Sequence, residues 1–229
     1  MKKTEDQRIP PAGSVSHDMN NLEHSTRLAN RYFVMRHGQS KANAASIIVS
    51  SLAHDERGDY GLTELGREQA LASAEKSGLP AGTIIYSSGF ARARQTAEIV
   101  REHLGVQAVT IAGALGERYF GGWEGTDTAN YAKVWAADEA GRIDGDVEPV
   151  TAVLDRTTAF VAKLELEHRE NDILLVSHGD ALQILQTGFR KLDPAAHRSL
   201  PHLETAEIRQ LYLTAPADPG LTSQQIWSR

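Results

Sequence analysis

The sequence predicts an α/β fold, a three-layer α/β/α sandwich on a mostly parallel central sheet. Three observations point there. Runs of consecutive apolar residues recur at Tyr32-Phe33-Val34-Met35, Thr83-Ile84-Ile85-Tyr86-Ser87 and Ile173-Leu174-Leu175-Val176-Ser177, the pattern of strands buried on both faces. Segments of helical periodicity separate these runs. The 229 residues suffice for one large α/β domain with a well-filled core.

Residues 1–30 carry four basic and four acidic residues with scattered apolar ones, and read as a polar, loosely packed extension through Ala29. Within it, Asp18 to Asn30 is compatible with a surface helix. Residues 31–229 read as a single domain. Its first strand ends at Gly38, and Ser40 can cap a following helix. Thr63 can cap a helix reaching Lys76. After the second strand, Phe90, Ala93, Ala97, Val100 and Leu104 step by three and four, marking one apolar helix face over 90–104. Val109 with Ile111, and Leu211 with Leu213, suggest two further strands of alternating type. Val150, Val153, Leu154, Thr157, Val161 and Leu164 define a helix across 150–169, and Ala181 to Phe189 a shorter one. The irregular stretch from Thr126 to Pro149 is predicted to lie over the strand ends. The tail after Pro216 is predicted to be peripheral.

Bulk properties exclude several classes. Net charge is −6 and no basic run exceeds Lys2-Lys3, so neither nucleic-acid nor anionic-membrane binding is suggested. The absence of cysteine excludes disulfides, thiolate metal sites and a cysteine nucleophile. No apolar stretch has spanning length and no signal-peptide core opens the chain, which makes the cytoplasm the default compartment.

Chemistry concentrates in four segments. Arg36-His37-Gly38-Gln39-Ser40 follows the first strand, where open α/β sheets bind ligands. Ser88-Gly89-Phe90-Ala91-Arg92-Ala93-Arg94 opens the 90–104 helix, with Arg92 and Arg94 off its apolar face. A helix start favours anions, and a guanidinium adds a bidentate phosphate donor, although taken alone such arginines are more often a solvated helix face. Glu117 lies among the glycines and aromatics of Leu115 to Gly125, where a carboxyl group tends toward a raised pKa; the alternative is a solvated loop residue. Ser177-His178-Gly179-Asp180 repeats the strand–His–Gly arrangement at the third strand.

In their order and spacing these segments resemble the histidine phosphatase superfamily, also called phosphoglycerate mutase-like, from about Tyr32 to Leu213. The resemblance implies that His37 is a nucleophile forming a phosphohistidine. It further implies that Arg36, Arg92 and His178 hold the phosphoryl oxygens, with Gly38, Asn43 and Gly179 as further phosphate or substrate contacts. Glu117 then protonates the leaving oxygen and afterwards activates water. Two positions depart from the family pattern: Gly89-Phe90 replaces Pro-Leu, and Leu203 to Glu207 replaces an Asn-centred segment.

The stretch between Glu117 and His178 selects the branch. It holds Arg118, Arg142, Arg156 and Arg169 but no adjacent pair, and a single proline, Pro149, whereas mutases are longer and arginine-paired there. A small phosphatase acting on a small-molecule phosphomonoester is expected, without cofactor or metal and with a homodimer left open. The alternatives are a phosphoglycerate mutase, a non-catalytic phosphate-binding module, and a metal site on His37, His178 and Glu117.

Overall fold

The computed structural model describes residues 20–214. Five strands, β1 (Arg31–Arg36), β2 (Ile84–Ser87), β3 (Val109–Ile111), β4 (Asp172–Ser177) and β5 (Ile208–Leu211), form one sheet in the order β3-β2-β4-β1-β5. The first four are parallel, and β5 runs antiparallel beside β1.

Among the described residues seven α-helices accompany them: α1 (Lys41–Ala44), α2 (Leu52–Gly58), α3 (Glu64–Lys76), α4 (Ala91–Leu104), α5 (Tyr131–Glu139), α6 (Val150–Glu167) and α7 (Gly179–Arg190). Alternation along β1 and β4 assigns the two faces. Tyr32, Val34, Ile173 and Leu175 meet Val161, Leu164, Leu182, Leu185 and Phe189 of α6 and α7. Met35, Leu174 and Val176 meet Ala70, Ala93, Ala97 and Val100 of α3 and α4. All six residues of β4 are buried, as a central parallel strand requires. The predicted three-layer sandwich is therefore present, and Thr63 and Ser40 cap α3 and α1 as expected.

Local departures have physical causes. Asp18 and Met19 lie outside the described residues. Instead of a helix, residues 21–24 form a turn, closed by the side chains of Asn20, which accepts from the Leu22 N–H (3.0 Å) and donates to Gly188 O (3.0 Å), and of Asn21, which donates to Thr158 Oγ1 (3.2 Å) and Asp155 Oδ1 (3.1 Å). Leu22 is 1% exposed within the core. This part of the extension thus contributes to the core, contrary to the loose packing read from its polarity. Leu213 packs against the core beyond the end of β5 rather than within it. The Thr126–Pro149 stretch contains α5 and a 3-10 turn at Thr128–Asn130. The tail after Pro216 lies outside the described residues. No helix among the described residues is long and apolar enough to cross a membrane.

Candidate active site

Sheet order brings together two histidines that are far apart in the chain. Arg36 is in register with Ser177, and the His37 N–H donates to Ser177 O at 3.0 Å. The His37 and His178 rings follow directly, 5.1 Å apart between centroids. Both stand at carboxyl ends of adjacent parallel strands, where the chain reverses its direction of winding.

Gly38 presses the loop against α3. A Cβ there would sit 2.2 Å from Gly66 O, so only glycine allows this approach. The Gly38 N–H donates to Thr96 Oγ1 at 3.1 Å, and its carbonyl lies 2.8 Å from His37 Nδ1. A carbonyl only accepts, so Nδ1 carries the proton and Nε2 keeps its lone pair. The backbone of Gly38 therefore orients His37 instead of offering its N–H to an anion.

Arg92 Nε–H donates to that His37 Nε2 at 3.1 Å, and its Nη2 donates to Val49 O at 2.8 Å. Its Nη1 is 3.6 Å from Asp55 Oδ1. Arg92 is 4% exposed, neither solvated nor on a solvent face. Its guanidinium lies over the Phe90 ring, which in turn packs edge-on against His178. The Gly89-Phe90 departure thus keeps Arg92 in the site. Arg94, in contrast, lines an outer groove with Arg67 and Glu98 and does not reach the histidines.

His178 immediately precedes α7, with Nε2 2.8 Å from Ser88 Oγ and a buried Nδ1 without a hydrogen-bond partner among the described residues. Arg36 Nε and Arg92 Nη1 are likewise buried without hydrogen-bond partners. Arg36 and Arg92 line one cleft beside the His37–His178 pair, and Gly179 opens α7 toward it, where free N–H groups favour an anion. Burial chiefly, then the charge of Arg92, holds both imidazoles well below the usual histidine range, so both are neutral near pH 7.

Glu117 lines the same cleft. Its Oε1 accepts from the N–H groups of Arg118 (2.9 Å) and Ala181 (3.2 Å). Burial, then the nearby Asp180 carboxylate, push its pKa up to about 7, against the opposing charge of Arg92. Glu124, the other carboxylate in this segment, is occupied elsewhere: it accepts from the N–H groups of Ser50 and Ser51 and pairs with His54 Nδ1 at 2.8 Å.

Asn43 reaches the cleft from α1, where its Oδ1 accepts from the Ser40 N–H at 3.0 Å and completes a capping box. Gln39 turns instead to Thr63, whose hydroxyl donates to it at 2.8 Å. Among the wall residues that sequence reasoning missed are Tyr131 and Trp135 on α5, Asp180 and His202. The two α5 rings stack at 5.5 Å with planes 10° apart, so their spacing of four was a legible signal. Nothing around His202 announced it. Among the described residues no three His, Cys, Asp or Glu side chains converge as a metal site needs.

The family model of the histidine phosphatase superfamily (branch 1) matches residues 32–217. A glucosyl-3-phosphoglycerate phosphatase of Mycobacterium tuberculosis is 30% identical over 198 residues, covering 80% of this chain and 85% of the relative. A 2,3-bisphosphoglycerate-dependent phosphoglycerate mutase of Parvibaculum lavamentivorans is 26% identical over 178 residues, covering 72% and 82%. A solved mycobacterial glucosyl-3-phosphoglycerate phosphatase in complex with VO3 superposes with a TM-score of 0.68 at 27% identity, covering 81% of this chain and 99% of that one. With the ordered motifs, the paired histidines and this match across most of its length, the chain belongs to the histidine phosphatase superfamily, branch 1.

Proposed function

We propose that the chain hydrolyses small organic phosphomonoesters in two steps through a phosphohistidine on His37. One observation carries the reading: a neutral His37, its tautomer held by Gly38, turns Nε2 toward buried guanidinium donors in the cleft that also holds a carboxyl titrating near 7. A phosphate monoester entering this cleft draws the Arg92 and Arg36 N–H groups to its oxygens, which frees the Nε2 lone pair. Nε2 attacks phosphorus, the ester P–O bond breaks, and Glu117 gives its proton to the departing oxygen. Arg36, Arg92, His178 and the N–H groups opening α7, Gly179 first, stabilise the charge on the equatorial oxygens. In the second step ionised Glu117 takes a proton from water, the water oxygen attacks phosphorus, the N–P bond breaks and phosphate leaves.

Hydrolysis is favoured over mutase transfer by where the intervening arginines point. Arg118 is buried in a pair with Asp138 at 2.7 Å, and Arg156 pairs with Glu148 and donates to the carbonyls of Ala114 and Gly116. Among the described residues only Arg36 and Arg92 bring guanidinium groups to the cleft, enough for one phosphoryl group but not for gripping a second acidic group. The name of the mycobacterial relative supports a phosphorylated small metabolite as substrate.

The test is His37→Ala. Turnover should vanish while the fold persists, and acid-labile, base-stable phosphate trapped on the native enzyme during turnover should be absent from the variant. Substantial residual turnover rejects the assignment.

A further inference from the structure

The segment between α7 and β5 meets the side chain of Arg36 through His202 and Leu203. Arg36 Nη1 lies 2.8 Å from His202 Nε2 and donates to Leu203 O at 2.9 Å, so both Nη1 hydrogens are directed away from the cleft centre. An arginine nitrogen has no lone pair to offer, so His202 Nε2 must be the acceptor, and the imidazole is neutral with its proton on Nδ1. What Arg36 leaves toward the cleft is its other edge, where Nε is buried without a hydrogen-bond partner. The clamp is itself fixed. Leu203 is buried in the core, Arg209 donates to Pro201 O at 2.8 Å and to His202 O at 2.9 Å, and the Ala206 N–H donates to His37 O at 3.2 Å. Gly179 makes room: a Cβ there would come within 3.3 Å of His202 Cε1 and 3.6 Å of Arg36 Nε.

We infer that His202 is a positioning residue for phosphate binding: by accepting from Arg36 Nη1, it aims the guanidinium's remaining edge at the phosphoryl group. This inference rests on the reading of Arg36 as a phosphate donor. It replaces the substrate contact that an asparagine would make from this segment with an indirect one, through Arg36.

The geometry discriminates among substitutions. A glutamine oxygen can reach the place of Nε2, whereas an asparagine oxygen falls at the place of Nδ1. His202→Ala and His202→Asn should each weaken inhibition by inorganic phosphate and by vanadate and lower kcat/KM by about 10-fold or more, the scale of losing a hydrogen bond to a charged group. His202→Gln should stay within roughly 3-fold of the native enzyme, because it keeps that bond. Circular dichroism of each variant establishes which are folded. Independently of any variant, nitrogen-15 chemical shifts of the native protein should show His202 with Nδ1 protonated and Nε2 unprotonated.

The inference is overturned if glutamine and asparagine behave alike in folded variants, if His202→Ala binds phosphate normally, or if Nε2 carries the proton. Arg36→Ala separates the two levels. If it leaves phosphate inhibition unchanged, the reading of Arg36 fails; if it abolishes inhibition while the His202 variants are normal, only the role of His202 fails.

Discussion

Replacing Glu117 by glutamine should make the protein both less active and more stable, with the stability gain present only at neutral and alkaline pH. In the native protein the carboxyl titrates at about 7 rather than at its ordinary 4.5. A folded-state pKa raised in this way favours the protonated form, so the folded protein loses stability as pH climbs between these two values and bears the full deficit above 7. That deficit is about 3 kcal/mol. Glutamine cannot ionise, and both backbone hydrogen bonds go to Oε1 alone, which the amide oxygen can replace. For a chain of this size, roughly 2–4 °C accompanies each kcal/mol, so the melting temperature at pH 8.5 should rise by about 6–12 °C. At pH 5 most of the difference should disappear. In parallel, kcat/KM on alkyl phosphates should fall by about 10²- to 10⁴-fold, the range for losing a general acid. The loss on p-nitrophenyl phosphate, whose leaving group needs no proton, should be far smaller. Calorimetry at both pH values and kinetics on both substrates complete the measurement. Equal rate losses on the two substrates would show that Glu117 is structural, and a pH-independent melting shift would show that its carboxyl is not desolvated.

Further outcomes follow from the same geometry. The first chemical step should slow as pH rises through about 7, the pKa to which Glu117 is raised, while the lowered His37 pKa moves the acid limb below the ordinary histidine range; a native alkaline limb that persists in Glu117→Gln would contradict this. Leu22→Ala should lower stability by about 2–4 kcal/mol with turnover unchanged, and deletion of residues 1–29 should lower the melting temperature likewise; an unshifted melting curve would mean that this turn does not hold the core. Because the Arg36 and Arg92 guanidinium groups supply the positive charge of the site, EDTA should leave the rate intact and vanadate should inhibit strongly; recovery of a chelated, inactive enzyme by zinc or manganese would favour the metal alternative.

Much of the frame was legible because its signals are local. The apolar runs at β1, β2 and β4 and the three-and-four spacing along α4 and α6 report burial without knowledge of any partner. The motif residues His37, Glu117, Arg36, Arg92, Asn43 and Gly179 do line one cleft, with His178 packed against His37 behind it, and all but the loop residue Glu117 stand at strand ends or in the first turn of a helix. What escaped depends on tertiary context. Leu22 is a lone apolar side chain in a polar stretch, and only the space beside α6 and α7 makes it a core residue. Arg92 looked solvent-facing because helical phase tells which face a side chain occupies, not what covers that face. Here Asp55, Val49 and His37 cover it. His202 owes its place to a chain reversal before β5 that no spacing in the sequence encodes.

The pairing of β1 with β4 has a consequence for how the enzyme comes into being. His37 and His178 are held together by a ladder whose partners, such as Arg31 and Asp172, are 141 residues apart. A ribosome must deliver nearly the whole domain before that ladder can close, and closing so distant a pair is slow. Until then Arg36 and His37 sit on an unpaired strand, with neither His178 beside them nor the Ser177 carbonyl to fix their backbone. Partial chains ending before β4 should therefore be inert toward phosphoesters. The appearance of turnover during refolding should coincide with completion of the central sheet.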